Sequence, residues 1–202
     1  MKLTKYTHAA VVLEKDGKNL VIDPGAYTPD SPALVKAADA VIFTHDHPDH
    51  IDDAAIEGID VPIYASAETV SRLGRGTVLS DGDTVQVAGF EVTVYGAKHA
   101  PIWGDIPGND NVAVLIDGTV YHPGDSYVVP GVPVDTLLVP TSGPWWKLGE
   151  AIDFVQAVKP RQSIEIHELM ASDAGRGMTA QMLGGAGGVP LQTITPGDSV
   201  TI

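Results

Sequence analysis

Residues 44–50 read Thr-His-Asp-His-Pro-Asp-His. Three histidines and two carboxylates fall within positions 45–50, directly behind the apolar run Ala40–Phe43. Neutral imidazole and carboxylate oxygen together suit Zn, Mn or Fe. In an extended segment alternate residues share a face, so His45 and His47 can hold one ion. Pro48 bends the chain, so Asp49 and His50 point elsewhere and suit a second ion. The spacing therefore reads as a pocket for two cations. Such a pair lowers the pKa of a shared water from about 16 towards 7 and polarises a carbonyl or phosphoryl oxygen. No protein nucleophile is then needed. The chain has no cysteine and no Gly-x-Ser-x-Gly elbow, which agrees with that chemistry.

A cluster of this kind must be positioned by a scaffold. The run Ala40–Phe43 reads as a buried strand that ends at the cluster. Upstream, Ala9–Glu14 and Asn19–Ile22 flank Asp16-Gly17 and read as a β-hairpin. Pro32–Ala38 and Ala67–Leu73 have helical spacing, Asp52–Glu57 suits a helical turn, and Val61–Ala65 a strand. Downstream, Thr84–Val87 with Glu91–Tyr95, and Val112–Ile116 with Thr119–His122, read as hairpins across Ala88-Gly89 and Asp117-Gly118. Leu137–Val139 and Ser163–Ile166 are strands. Leu148–Val158 carries apolar residues at helical period and stops at Lys159-Pro160. Leu191–Ile194 and Ser199–Ile202 close the pattern as strands. Gly175–Gly188 stays open between helix and loop, because its glycines weaken a helix. No linker or repeat divides the chain, so residues 1–202 are expected to form one α/β domain of two sheets covered outside by helices.

The remaining chemistry-bearing residues fall at strand ends. Asp23 terminates Asn19–Ile22, and His99 follows Glu91–Tyr95 by a few loop residues. Asp125 sits in the turn His122-Pro-Gly-Asp-Ser, and His167 terminates Ser163–Ile166. A sandwich can gather such ends on one edge. Taken singly, Asp23 and Asp125 also suit plain turn chemistry. His8 and His122 are left over: His8 could lie near the metal edge or be a hydrogen-bonded structural residue, and His122 suits support of its turn. The loop residues Trp103, Asp105, Trp145, Trp146 and Lys147 are positions for a substrate pocket. For Trp145 and Trp146 the reading as core cover is preferred, and for Lys147 the reading as a solvated cation.

In this order and spacing the chain resembles the metallo-β-lactamase-fold hydrolase superfamily. The residues that carry the resemblance are Asp23, Thr44–His50, His99, Gly124-Asp125 and His167, which together span nearly the whole chain. The short form is most similar to the lactonase-like branch that includes ascorbate-phosphate lactonase relatives. Tyr6-Thr7-His8-Ala9 is similar to a Gly-His-Ala/Ser opening in that branch, with Thr at the Gly position. The resemblance implies a four-layer αβ/βα sandwich. It implies His45, His47 and His99 around one ion, Asp49, His50 and His167 around a second, and Asp125 bridging both. Asp23 would orient the ligand loop by hydrogen bonds. Asp49 would orient the hydroxide and carry a proton to the leaving group. The expected cofactors are two divalent ions, with zinc leading and manganese or iron as alternatives. The absence of cysteine departs from lactamases with a thiolate at the second ion, so β-lactamase activity is not expected.

Formal net charge is −14, which repels phosphate backbones and argues against a nucleic-acid partner. No window approaches a membrane span of about 18 apolar residues, so no membrane association is expected. A cytoplasmic location is expected, and homo-oligomerisation is left open. The function that fits is hydrolysis of an ester-like bond in a small molecule, a lactone or a phosphate-bearing ester. Phosphodiester hydrolysis and a non-catalytic metal-binding role on the same fold are the alternatives.

Overall fold

Two seven-stranded sheets face each other in the computed structural model, which describes residues 1–202 except Ala97, Asp105 and Pro107. The first sheet is built from β1 (Lys2–Lys5), β2 (Val11–Lys15), β3 (Lys18–Ile22), β4 (Ala40–Phe43), β5 (Ile63–Ala65) and β6 (Thr77–Val78). The second holds β7 (Thr84–Val87), β8 (Phe90–Tyr95), β9 (Ala113–Ile116), β10 (Val120–His122), β11 (Thr136–Pro140), β12 (Gln162–Ile166) and β13 (Leu191–Gln192). The last strand, β14 (Ser199–Thr201), returns to the first sheet beside β1, with Leu3 opposite Val200. The orders are β14-β1-β2-β3-β4-β5-β6 and β13-β12-β11-β10-β9-β8-β7.

Period-two burial explains the layering. Along β4, Ala40 and Ile42 enter the core between the sheets, while Val41 and Phe43 face a separate core outside the first sheet. That outer core is closed by α1 (Ser31–Ala37), α2 (Asp53–Ile56) and α3 (Ala67–Leu73), through Leu34, Val35, Ala55, Ile56 and Val70. On the second sheet, Ile164 and Ile166 face inward, while Leu137 and Val139 meet α4 (Leu148–Val158) and α5 (Asp173–Gly187) outside. Both faces of β4 and β11 are buried, so both strands read as continuous apolar runs. The result is helix, sheet, sheet, helix, the expected αβ/βα sandwich.

Residues 173–187 resolve the ambiguity in favour of a helix. Ser172 caps it by accepting the Gly175 amide at 3.2 Å. A Cβ at Gly187 would sit 3.1 Å from Val155 Cγ1, so its absence lets α5 lie close on α4. Strand β1, absent from the sequence reading, is short and half polar. The two-residue β6 offers no pattern to read. No described helix is long and apolar enough to cross a membrane.

In both sheets one half is antiparallel and the other parallel. Strands β3, β4, β5 and β6 run parallel, as do β10, β11, β12 and β13. Parallel strands end on the same side, and crevices outside their carboxyl ends are where α/β sheets place ligands. Asp23 follows β3, the heptapeptide follows β4, Asp125 follows β10 and His167 follows β12.

Candidate metal centre

Asp23 organises the centre from below. It is fully buried at φ 51°, a left-handed conformation that Asp tolerates better than most residues. Its carboxylate accepts the Thr44 amide at 2.8 Å, the Thr44 hydroxyl at 2.7 Å and His50 Nδ1 at 2.8 Å. Thr44 Oγ1 in turn lies 3.0 Å from His45 Nδ1. His99 Nδ1 donates to its neighbour's carbonyl, Ala100 O, at 2.6 Å. These bonds place the protons of His45, His50 and His99 on Nδ1 and turn each Nε2 bare towards the interior.

Two groups of donors face those bare nitrogens. His45, His47, His99 and Asp125 form one, and His8, Asp49, His50 and His167 the other; within each group the donor atoms lie within 4.8 Å of one another. In the first group the ring centroids are 4.7 Å (His45–His47), 5.0 Å (His45–His99) and 4.9 Å (His47–His99) apart. Imidazoles sharing one tetrahedral ion at 2.0–2.1 Å have centroids about 5 Å apart. His50 and His167 are 5.2 Å apart. Asp125 faces both groups: Oδ2 is 3.3 Å from His99 Nε2 and 3.2 Å from His167 Nε2, and Oδ1 is 3.1 Å from His50 Nε2. Asp49 Oδ2 is 3.3 Å from His167 Nε2.

The fit to cations rests on atoms without partners. His50 Nε2, His99 Nε2, His167 Nε2 and Asp125 Oδ1 are buried with no directed hydrogen bond among the described residues. Leaving such atoms unsatisfied is costly. The three nitrogens lie 3.1–3.3 Å from the two Asp125 carboxylate oxygens, which matches the spacing of about 3.3 Å between donors around one ion. Lone pairs aimed at a shared point, rather than at each other, are what a metal pocket requires.

Electrostatics agree. Burial, with the neighbouring His50, drives His45 well below the ordinary imidazole range. Burial and His99 lower His47. For His50 burial opposes protonation, but the charges of Asp125 and Asp23 outweigh it and raise its pKa well above the usual value. His167 behaves alike: against burial, Asp125 and Asp49 push it up to about 9. Asp125 is held well below the carboxylate range, because His50 and His167 overcome burial. Asp49 is lowered too, its burial outweighed by His167 and His8. Without ions, this cage stabilises protons where cations would sit.

The other sequence-selected residues separate. His8 is buried beside Asp49, with Nε2 3.0 Å from Oδ2. Trp145 is buried and donates Nε1–H to Asp125 Oδ2 at 2.7 Å, so it is more than core cover. Trp146 donates to Pro140 O at 2.9 Å and packs under α4. Trp103 is 76% exposed on the loop after His99. Lys147 is exposed and held by Glu150 at 2.7 Å. His122 accepts the Gly124 amide and reaches Ala9 O, bracing its turn. Asp105 lies outside the described residues.

Several supporting residues escaped the sequence reading. Asn111 accepts the Asp125 amide at 3.0 Å and donates to Pro123 O at 3.0 Å, fixing the turn that carries Asp125. Lys5 and Glu168 form a buried pair at 2.6 Å. Leu3 and Lys5 share a strand face by period two, so an inward lysine was the available signal.

Comparison with known proteins agrees with this architecture. Residues 2–167 match the family model described as a beta-lactamase superfamily domain. Protein Rv0786c of Mycobacterium tuberculosis is 32% identical over 88% of this chain and 89% of its own length. A UPF0173 metal-dependent hydrolase of Carboxydothermus hydrogenoformans is 28% identical over the whole of both chains. Among solved structures, Igni18, a metallo hydrolase from Ignicoccus hospitalis, superimposes with a TM-score of 0.77 at 22% identity, covering 100% of this chain and 97% of that one.

Proposed function

The chain belongs to the beta-lactamase superfamily, as a metal-dependent hydrolase on the metallo-β-lactamase fold, and on that footing we propose that it works with two ions on a small ester-like substrate, a lactone before a phosphate-bearing ester. The observation that carries this reading is the pair of donor groups that meet at Asp125, with bare, buried nitrogens on both sides. His45, His47 and His99 would hold one ion, His50, His167 and Asp49 the other, and Asp125 both. An all-N/O donor set of this geometry suits zinc first, with manganese or iron next. Two bound divalent ions would supply a hydroxide at neutral pH and withdraw electrons from the substrate's carbonyl.

The chain's own groups do the rest. Asp49, 9% exposed, is the carboxylate of the cluster nearest solvent. It can orient the attacking water and pass its proton to the leaving alkoxide. Trp145 holds the Asp125 carboxylate and Asn111 its backbone amide, so the bridge would not swing as charge shifts. Lys98 and Lys147, on the loops that carry His99 and Trp145, are held by Asp110 at 2.8 Å and Glu150 at 2.7 Å. A formal net charge of −14 repels an anionic phosphate at long range, so a neutral carbonyl ester is the preferred substrate.

The test is metal analysis of purified protein, then hydrolysis of lactones, aryl esters and phosphodiesters. Two ions per chain and lactone turnover are expected, with turnover falling to background in His47→Ala and Asp125→Ala. Full activity in either variant refutes the site. Two ions without turnover of any substrate favours a binding protein.

A further inference from the structure

A buried ion pair lies under the second donor group, and nothing in the hydrolytic reading uses it. Lys5 Nζ is 2.6 Å from Glu168 Oε1, with both side chains almost completely buried. Removing two charges from water costs several kcal/mol per ion, so such pairs contribute little net stability and persist best where they fix a geometry. Glu168 has a second engagement: the same Oε1 accepts the His8 amide at 3.0 Å. The His8 carbonyl accepts the His167 amide at 3.0 Å. His8 and His167 both stand in the left-handed region, at φ 66° and 60°. That conformation is uncommon for any residue but glycine and persists only where surroundings enforce it. One carboxylate, anchored by one lysine, therefore locks two strained histidines together.

We propose that His8 is a positioning residue for Asp49 and His167, and that the Lys5–Glu168 pair holds it in place; this rests on the two-ion reading. Its Nε2 lies 3.0 Å from Asp49 Oδ2 as a hydrogen-bond donor, and its ring lies against that of His167, tilted by 44° with centroids 3.9 Å apart. The same distances separate His8 from the ligands. Imidazoles sharing one ion sit about 5 Å apart, whereas His8 is 3.9 Å from His167 and 6.1 Å from His50. It departs in both directions, so it braces the pocket from behind. A second pair continues the scaffold: Glu165, two residues before His167, takes Arg176 Nη2 of α5 at 2.6 Å and the Thr141 hydroxyl at 3.2 Å.

The test is stepwise Co2+ binding in chelator competition, with the visible absorption of the loaded protein as a second readout. His8→Asn tolerates the left-handed backbone but cannot reach Asp49; His8→Gln restores an amide donor near the imidazole Nε2 position. For His8→Asn, one of the two affinities should fall about 10- to 100-fold, the range for removing a partner behind a ligand. The other should hold within about threefold, with the absorption at full loading unchanged. His8→Gln should recover most of the loss. Glu168→Gln keeps an acceptor for the His8 amide but strands Lys5, and should weaken the same site. Equal loss at both sites, no loss at either, or a changed coordination spectrum overturns the proposal. Fewer than two Co2+ in the unmodified protein instead refutes the two-ion reading beneath it.

Discussion

Trp145 donates its indole N–H to Asp125 Oδ2 at 2.7 Å, so the carboxylate that faces both donor groups has one oxygen already engaged by protein. The indole is 5.7 Å from the His99 ring and 6.0 Å from His167, and Tyr127 packs at 5.3 Å on the same residue. Trp145→Phe keeps most of this packing and removes only the donor. A hydrogen bond to a charged acceptor is worth about 1.5–3 kcal/mol, so ion affinity should change by roughly tenfold or more while the fold persists. The chain has three tryptophans, and Trp145 alone among them touches the centre. Indole emission should therefore respond to ion addition in the unmodified protein and lose most of that response in Trp145→Phe. An undiminished response would mean that Trp145 does not sense the ions.

Asp23 is expected to be as important as a ligand without being one. It satisfies the Thr44 amide and hydroxyl and fixes the His50 tautomer, all inside a fully buried pocket. Asp23→Ala strands three polar groups, and each stranded buried group costs about 1–3 kcal/mol. A loss of roughly 3 kcal/mol or more in denaturant unfolding should accompany weaker ion binding. Asp23→Asn should be milder in stability yet still impair binding, because a carboxamide keeps one acceptor oxygen and turns the other into an NH2 donor, so it cannot accept from Thr44 and His50 on both oxygens. Normal ion affinity in Asp23→Asn would show that the His50 tautomer is set elsewhere.

Ion binding and proton binding compete at this centre. Without ions, His167 is pushed up to about 9, and His50 is also raised, by the carboxylates between them. A raised imidazole pKa stabilises the fold fully below the ordinary value of 6.5, and that contribution disappears as pH climbs through about 9. Ions need bare nitrogens and must displace those protons. Between these pH values the ion-free protein should melt progressively lower, the loaded protein should hold, and apparent Zn2+ affinity should rise. Chelator competition across that interval checks the slope; an affinity independent of pH contradicts it.

The sequence exposed the framework well and its support poorly, for a physical reason. Elements with a full apolar period, such as Ala40–Phe43, Ala67–Leu73 and Leu148–Val158, match the observed bounds because burial of a face or stripe fixes them locally. Most of the residues picked for the two ions converge because they follow the ends of parallel strands, a consequence of topology, while His99 comes from the loop after the antiparallel β8. The supports could not be read the same way. Lys5 reaches Glu168 across 163 positions by difference, and Trp145 reaches Asp125 across 20, pairings that no local pattern announces. α5 is ambiguous in sequence because its glycines lower helix propensity, and only Gly187 shows its reason in the packing, against Val155 of α4.

Gly25 tests whether the ligand loop tolerates any displacement. A Cβ at this position would lie 1.9 Å from the Asp49 carbonyl oxygen and 2.5 Å from the His50 amide nitrogen. Those are backbone atoms, so no side-chain rotation relieves the clash, and the loop after Pro48 must move. The neighbouring bond from the Ala26 amide to Pro48 O, 2.8 Å long, ties the same two segments and would stretch with it. Gly25→Ala adds one methyl group on a loop that carries no ligand. It should nevertheless destabilise the protein by about 2 kcal/mol or more, within the range for overpacking. Ion binding by Asp49 and His50 should suffer more than binding by His45, His47 and His99, since the clash falls on the backbone that carries the first pair. Stepwise Co2+ titration of Gly25→Ala separates the two sites. A variant that melts normally and binds both ions with unchanged affinity would show that the Asp49–His50 segment is far more compliant than its packing indicates.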